Sequence, residues 1–238
     1  MSHTPQPAPG ASNAAENATT PRGTHIVVLL DRSGSMSSIA DDVIGGFNTF
    51  LKEQRSNGAD ARMSLVQFDS QDPQSVTAWG LPIAEMVYLD GQSFVPRGST
   101  PLLDATGLTI GRTIVDQQSR VAAGLRAEDI VFVTITDGQE NCSTEFNLAK
   151  VRELIDKRKS EGWTFVFLSA GLDGYGDAAA FGIHDGDTQR FDARGDSAAS
   201  ALRSVSRNMS NLRDKKRRGE AIVEGSFFET GKDAEENF

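Results

Sequence analysis

The sequence holds one cysteine, Cys142, among 238 residues. An intramolecular disulfide is therefore excluded, and no C-x-x-C or Cys/His spacing around Cys142 suggests a zinc site. This predicts a reducing, cytoplasmic setting. Long apolar runs are missing too: the longest, at residues 25–30 and 130–135, fall far short of the roughly 18 to 20 residues that cross a bilayer. The N-terminus shows no basic start leading into an apolar stretch, so no secretory leader is expected. Positive charge is in deficit, with 24 Lys and Arg against 33 Asp and Glu and a net charge of −9. That argues against nucleic acid or an anionic membrane as a partner and favours cations or basic surfaces. Histidine is limited to His3, His25 and His184, and no G-x-S-x-G elbow supplies a serine nucleophile. There is no G-x-x-x-x-G-K-[ST] phosphate loop.

What is present suits one α/β domain with tails. Residues 1–23, rich in Pro, Ala, Ser, Thr and Asn, read as a disordered tail; 24–218 read as the domain. Residues 219–238 read as a C-terminal tail, acidic at its end, with 221–228 available as an edge strand. Within the domain, short apolar runs alternate with helical periodicity, the pattern of parallel strands joined by helical crossovers. The run at 25–30 is unbroken, as in a central strand covered on both faces. A helix is expected over 38–56, with Ile39, Val43, Phe47 and Phe50 on one side. Residues 62–68 read as a strand, and 76–79 with 86–89 as an edge hairpin. Pro101 opens a helix that Thr100 could cap. Strands at 130–135 and 163–168, a helix at 146–161, a short outer strand at 189–191 and a last helix at 196–216 complete the order. The expected fold is thus a doubly wound, mostly parallel sheet with helices on both faces and one antiparallel edge strand.

Three loops carry the chemistry, each after a core strand or before a helix, on the carboxyl edge where open α/β sheets place ligands. They are Asp31-Arg-Ser33-Gly-Ser35, Gly98-Ser-Thr100-Pro101 and Thr136-Asp137-Gly138. Two carboxylates and three hydroxyls, with no nitrogen or sulfur, suit a hard cation such as Mg²⁺. The bland readings are a helix cap at Ser35, Ser37 or Ser38, a cap at Thr100 and a turn at Asp137-Gly138. Either role is compatible with the other.

The sequence D-R-S-G-S at 31–35 resembles the D-x-S-x-S of the metal-ion-dependent adhesion site in von Willebrand factor A domains. Gly98-Ser-Thr100-Pro-Leu is similar to that family's G-x-T-P-L, and Ile135-Thr-Asp137-Gly-Gln-Glu-Asn141 to its L-T-D-G-x-x-N. The likeness in element order runs over residues 25–216. It implies a three-layer Rossmann-like fold in which Ser33 and Ser35 ligate the metal. Thr100 would ligate directly or through water, and Asp31 and Asp137 mostly through water. The ion implied is Mg²⁺, with Mn²⁺ as an alternative. A metal held mainly by neutral hydroxyls favours an anionic further ligand. The resemblance implies that this ligand is an exposed Glu or Asp of another protein, and the shortage of histidine and of a nucleophile elbow predicts that the chain is not an enzyme. The alternative is a Mg²⁺-dependent hydrolase acting on a phosphorylated substrate, for which Arg32 and Arg97 are the nearby cations.

Other signals take structural readings. Residues 171–176 lack the G-x-G-x-x-G order and read as a turn entering a short helix. Arg194-Gly-Asp196 is a chance tripeptide with Asp196 as a helix cap. Residues 213–218 read as a solvated basic helix end. His184, near the expected ligand edge, reads as structural.

Overall fold

A computed structural model describes residues 22–171, 173–192 and 197–233. Residues 1–21 of the N-terminal tail, residue 172, the Arg194-Gly-Asp196 tripeptide with residue 193, and residues 234–238 lie outside them. Strands β1 (Thr24–Asp31), β2 (Ala61–Asp69), β3 (Asp72–Pro82), β4 (Asp129–Thr136), β5 (Thr164–Ser169) and β6 (Thr188–Arg190) form one sheet in the order β3-β2-β1-β4-β5-β6. Only the β2–β3 pair is antiparallel. The helices are α1 (Ala40–Ser56), α2 (Leu102–Ala122), α3 (Leu148–Ser160), α4 (Gly174–Ala180) and α5 (Ser197–Arg217), with a 3-10 turn (Gly34–Ile39) leading into α1. The doubly wound fold expected from the alternation of runs is the one observed.

All eight residues of β1 are buried, because its side chains alternate between two covered faces. Ile26, Val28 and Leu30 pack with Val43 and Phe47 of α1 and with Leu202, Val205 and Met209 of α5. Val27 and Leu29 pack with Leu102, Ala105 and Ile110 of α2 and with Val151 and Ile155 of α3. Gly46 lets α1 and α5 cross closely: a Cβ there would stand 2.9 Å from Cα of Ala199 and 2.8 Å from Leu202. At the far end of the same pair, the buried Arg213 guanidinium donates to the carbonyls of Gln54 at 2.9 Å and Gly58 at 2.8 Å and to Asp60 at 2.6 Å.

That last contact corrects the reading of residues 213–218 as a solvated basic end. Arg213 is buried, Arg217 also binds Asp60, and Lys216 lies 3.2 Å from Asp129. The positive run fastens α5 to the domain. Two strand expectations also fail. Residues 86–89 do not extend a hairpin; β3 itself, longer than expected, turns back on β2 after two residues. Met86 and Leu89 are buried as anchors of an irregular segment, and Asn48 of α1 exchanges two 2.8 Å hydrogen bonds with the Leu89 backbone. Residues 221–228 form a strap instead of an edge strand, because Phe227 and Phe228 turn into the core next to α5. Among the described residues, no helix is long and apolar enough to cross a membrane.

Candidate metal centre

β1 and β4 are neighbours with parallel register, Leu30 beside Ile135, so their ends bring Asp31 and Thr136 together at the carboxyl edge. Asp31 is fully buried. Its Oδ1 accepts the Ser33 backbone N–H at 2.7 Å and its Oδ2 accepts the Thr136 hydroxyl at 2.6 Å. The first bond folds the D-x-S turn back on itself and presents Ser33 and Ser35, whose Oγ atoms are 3.0 Å apart. Ser35 in turn donates to Oδ1 of Asp137 at 2.7 Å. None of Ser35, Ser37 or Ser38 caps a helix: Ile39 precedes α1, and no side chain caps there.

The second loop is held by backbone bonds to the first, Gly34 N–H to Gly98 O at 3.0 Å and Arg97 N–H to Arg32 O at 2.8 Å. Thr100 is buried and does not cap α2; the residue before that helix is Pro101, which makes no side-chain cap bond. Instead the Thr100 backbone is clamped by Asn141, which accepts its N–H on Oδ1 at 2.9 Å and returns its own N–H to Thr100 O at 3.2 Å. The Thr100 hydroxyl points toward Gly138, where a Cβ would meet it at 3.1 Å and Ser35 Oγ at 3.6 Å. Asp31, Ser33, Ser35, Thr100 and Asp137 thus lie around one site.

The third loop is fixed by carboxylates that replace a conventional cap. Asp104, in the first turn of α2, accepts the backbone N–H groups of Thr144, Glu145 and Phe146 at 2.7 to 2.9 Å. Glu140 accepts from Leu103, Cys142 and Ser143. The following helix, α3, is capped by Asn147, whose side chain accepts from Lys150 N–H at 3.0 Å. Thr136, Glu140 and Asn141 lie inside the quoted motifs, Glu140 at one of their variable positions; Asp104 lies two residues beyond the second motif, and Asp69 lies outside all three.

Electrostatically the site lacks a cation. Burial pushes the Asp31 carboxyl up to about 6, against the lowering bonds from Thr136 and Ser33, and Asp137 adds to the rise. Burial also raises Asp137, opposed by the Ser35 bond. Among the described residues no Lys, Arg or His pairs with either. The two arginines close in sequence are turned aside, Arg32 and Arg97 both binding Asp69. An all-oxygen set of hydroxyls and carboxylates with unbalanced negative charge is the donor chemistry that fits a hard divalent ion.

A second acidic group, Asp116 and Glu128 with His25, sits at the opposite, amino edge. It is already balanced: Arg62 Nη2 lies 2.7 Å from Asp116 and 2.6 Å from Glu128, and Arg120 Nε lies 3.1 Å from Glu128. Guanidinium groups stand where an ion would. His184 also lies at the amino edge, just before β6 and 3.1 Å from Glu224, not near the ligand edge as expected. Of the expected turn at 171–176, residues 174–176 open the short helix α4 and Asp173 caps it, accepting the Gly176 N–H at 3.2 Å; residue 172 lies outside the described residues.

No family model and no curated protein sequence matches the chain. Solved structures do resemble its fold. The pilus adhesin SpaC of Lactobacillus rhamnosus GG, in its open conformation, is similar with a TM-score of 0.59 at 14% identity, over 80% of this chain and 30% of the adhesin. Proximal thread matrix protein 1 from the mussel byssus gives 0.52 at 15% identity, over 82% of this chain and 49% of that one. The VWA domain of SpRpn10 gives 0.48 at 10% identity, over 85% and 99%. This chain spans about half the length of the byssus protein and less of the adhesin. At such identities the likeness speaks for the fold alone, a doubly wound α/β sheet ordered β3-β2-β1-β4-β5-β6 with one antiparallel edge strand, which is the fold that the resemblance to von Willebrand factor A domains implies.

Proposed function

We propose that the chain is a metal-dependent protein-binding module. Mg²⁺, or Mn²⁺ in its place, is held by Ser33, Ser35 and Thr100, with Asp31 and Asp137 acting mainly through bound water. An exposed Glu or Asp of a partner protein completes the site. One observation carries this reading: the buried Asp31 carboxylate and the partly buried Asp137 stand among hydroxyls, and no cationic side chain among the described residues pairs with either. A cation removes that cost, and a cation held by neutral hydroxyls retains enough charge to attract a carboxylate. The metal would supply this electrostatic attraction. The chain's own residues orient it: Thr136 and the Ser33 N–H fix Asp31, and Asn141 fixes Thr100.

The hydrolase reading calls for a base and for cationic groups to hold phosphate. Neither described histidine is at this edge, since His25 lies at the start of β1 and His184 before β6, and the carboxylates there are engaged by Thr136, the Ser33 N–H and Ser35. We favour the non-enzymatic reading on this ground, and place the module in the cytoplasm as a separate proposal. The test is affinity capture from cell extract in Mg²⁺ and in EDTA, with the wild type and with Asp31→Ala shown to be folded. A partner that needs both Mg²⁺ and Asp31 supports the reading; one captured equally in EDTA or by the variant overturns it.

A further inference from the structure

Two guanidinium groups beside the site share one carboxylate oxygen. Oδ2 of Asp69 accepts hydrogen bonds from Arg32 Nε at 2.8 Å and Arg97 Nε at 2.9 Å, and Arg32 Nη2 lies 2.7 Å from it without a hydrogen bond. The other oxygen, Oδ1, is taken by the backbone N–H groups of Gln71 at 2.8 Å and Asp72 at 3.1 Å. One negative charge thus faces two positive ones. The Asp69 side chain is 0% exposed and that of Arg32 11%, whereas that of Arg97 is 45% exposed. The excess charge therefore reaches solvent through Arg97, whose Nη groups donate to nothing among the described residues. It does so on a chain of net charge −9.

The location of this charge is set by the loops of the candidate centre. Arg97 N–H binds the carbonyl of Arg32, which lies between Asp31 and Ser33, and Gly98 O receives the Gly34 N–H. Arg97 is also three residues before Thr100. A guanidinium offers a planar fork that matches a carboxylate, and Nε alone is committed here.

We propose that Arg97 is a second recognition point, and that the segment bound at the metal centre carries two acids. This rests on the metal-dependent reading above. The first acid faces the metal, and a second Asp or Glu pairs with the free edge of Arg97. Because an extended peptide advances about 3.4 Å per residue and the two loops are hydrogen-bonded neighbours, the second acid lies roughly one to three positions from the first. A rim charge of this kind selects among partners and speeds encounter, and its contribution is screened by salt.

The experiment is panning of a random heptapeptide phage library on the protein in Mg²⁺ and in EDTA, followed by fluorescence titration of the enriched peptides. Wild type, Arg97→Gln and Arg97→Lys are compared after circular dichroism shows each is folded. The expected result is enrichment, in Mg²⁺ only, of peptides with two nearby acids. Replacing the second acid by Gln should weaken binding about tenfold at low salt and less at high salt, as for a partly exposed charge pair. Arg97→Gln should bind the two-acid and one-acid peptides alike, and Arg97→Lys, which keeps the charge but lacks the planar fork, should retain only part of the preference. Enrichment of one-acid peptides, with Arg97→Gln unchanged and EDTA still abolishing capture, overturns the role of Arg97 and leaves the metal reading intact. Equal enrichment in EDTA overturns the metal reading itself, and this proposal with it.

Discussion

The Thr136 hydroxyl donates a 2.6 Å hydrogen bond to Oδ2 of Asp31, tying the last residue of β4 to the last residue of β1. Both are buried, so the bond is made to a charge held away from water. Thr136→Val keeps the branched shape and removes the donor. A hydrogen bond to a charged group is worth about 1.5 to 3 kcal/mol, and the expected loss of stability at neutral pH is of that order, with weaker Mg²⁺ binding. Urea unfolding in the absence of metal measures the first. An unchanged midpoint would show that Asp31 does not depend on Thr136.

Asp137→Asn keeps the shape that accepts from Ser35 and removes the charge. Metal binding should weaken. Stability should change by about 1 kcal/mol or less, because the residue lies in a loop beyond the core and its charged form is already disfavoured by burial. Severe unfolding of this variant would make Asp137 primarily a structural residue.

Gly138→Ala tests the closeness of the three loops. The added Cβ would stand 3.1 Å from Thr100 Oγ1 and 3.6 Å from Ser35 Oγ, both on the side where an ion would be held. The backbone of Gly138 is not left-handed, so alanine is tolerated there without backbone strain. The expected outcome is a folded protein with a thermal midpoint within a few degrees of wild type and a clearly reduced metal affinity. Metal affinity equal to that of wild type would place the ion elsewhere.

The fold and the three loops were legible in the sequence because each has a local cause. The unbroken apolar run at the start of β1 needs cover on both faces, and the carboxyl end of such a strand is where Asp31 had to fall. Asp31, Ser33 and Ser35 lie within five residues of one another, so their grouping needs only a turn. Less legible were features set by distant partners. The cap assigned to Thr100 failed because Glu140 and Ser143, from the next loop, accept the Leu103 and Asp104 N–H groups in its place. Residues 86–89 looked like a strand because Met86 and Leu89 are apolar, but they are buried against α1 through Asn48, which a period of two cannot foresee. The basic run at 213–218 was misread because Asp60, more than 150 residues earlier, neutralises it. Asp69, which redirects Arg32 and Arg97, is likewise defined only by the folded chain.

The amino edge makes a prediction about pH. His25 is buried, and its imidazole is 2.8 Å from Ser64 Oγ, with Arg62 Nη2 facing Nδ1 at 3.5 Å. Burial first, and Arg62 next, lower its pKa to about 4 from an ordinary 6.5, against the raising effect of Glu128 and Asp116. The sign follows directly: between about pH 6.5 and 4 the unfolded chain takes a proton that the folded one refuses. Stability from this group is therefore lost as pH falls from about 6.5 to about 4, and no further below that. The raised Asp31 carboxyl contributes with the opposite sign over part of this range and is common to both proteins, so denaturant titrations should show wild-type stability falling relative to that of His25→Gln, whose amide can still reach Ser64, as pH drops from about 6.5 to about 4. Equal slopes would mean that His25 does not remain neutral in the fold.

The central claim is that Asp31, Ser33, Ser35, Thr100 and Asp137 hold a divalent cation, and calorimetric titration of Mg²⁺ into the purified protein tests it most directly. We expect saturable binding at one site, with weak to moderate affinity since few charges touch the ion, reproduced by Mn²⁺. Replacing Ser33 and Ser35 together by Ala should abolish it and leave the circular dichroism spectrum unchanged, because these hydroxyls line the site and fill no core position. A double variant that remains folded and still binds Mg²⁺ as the wild type does would contradict the assignment.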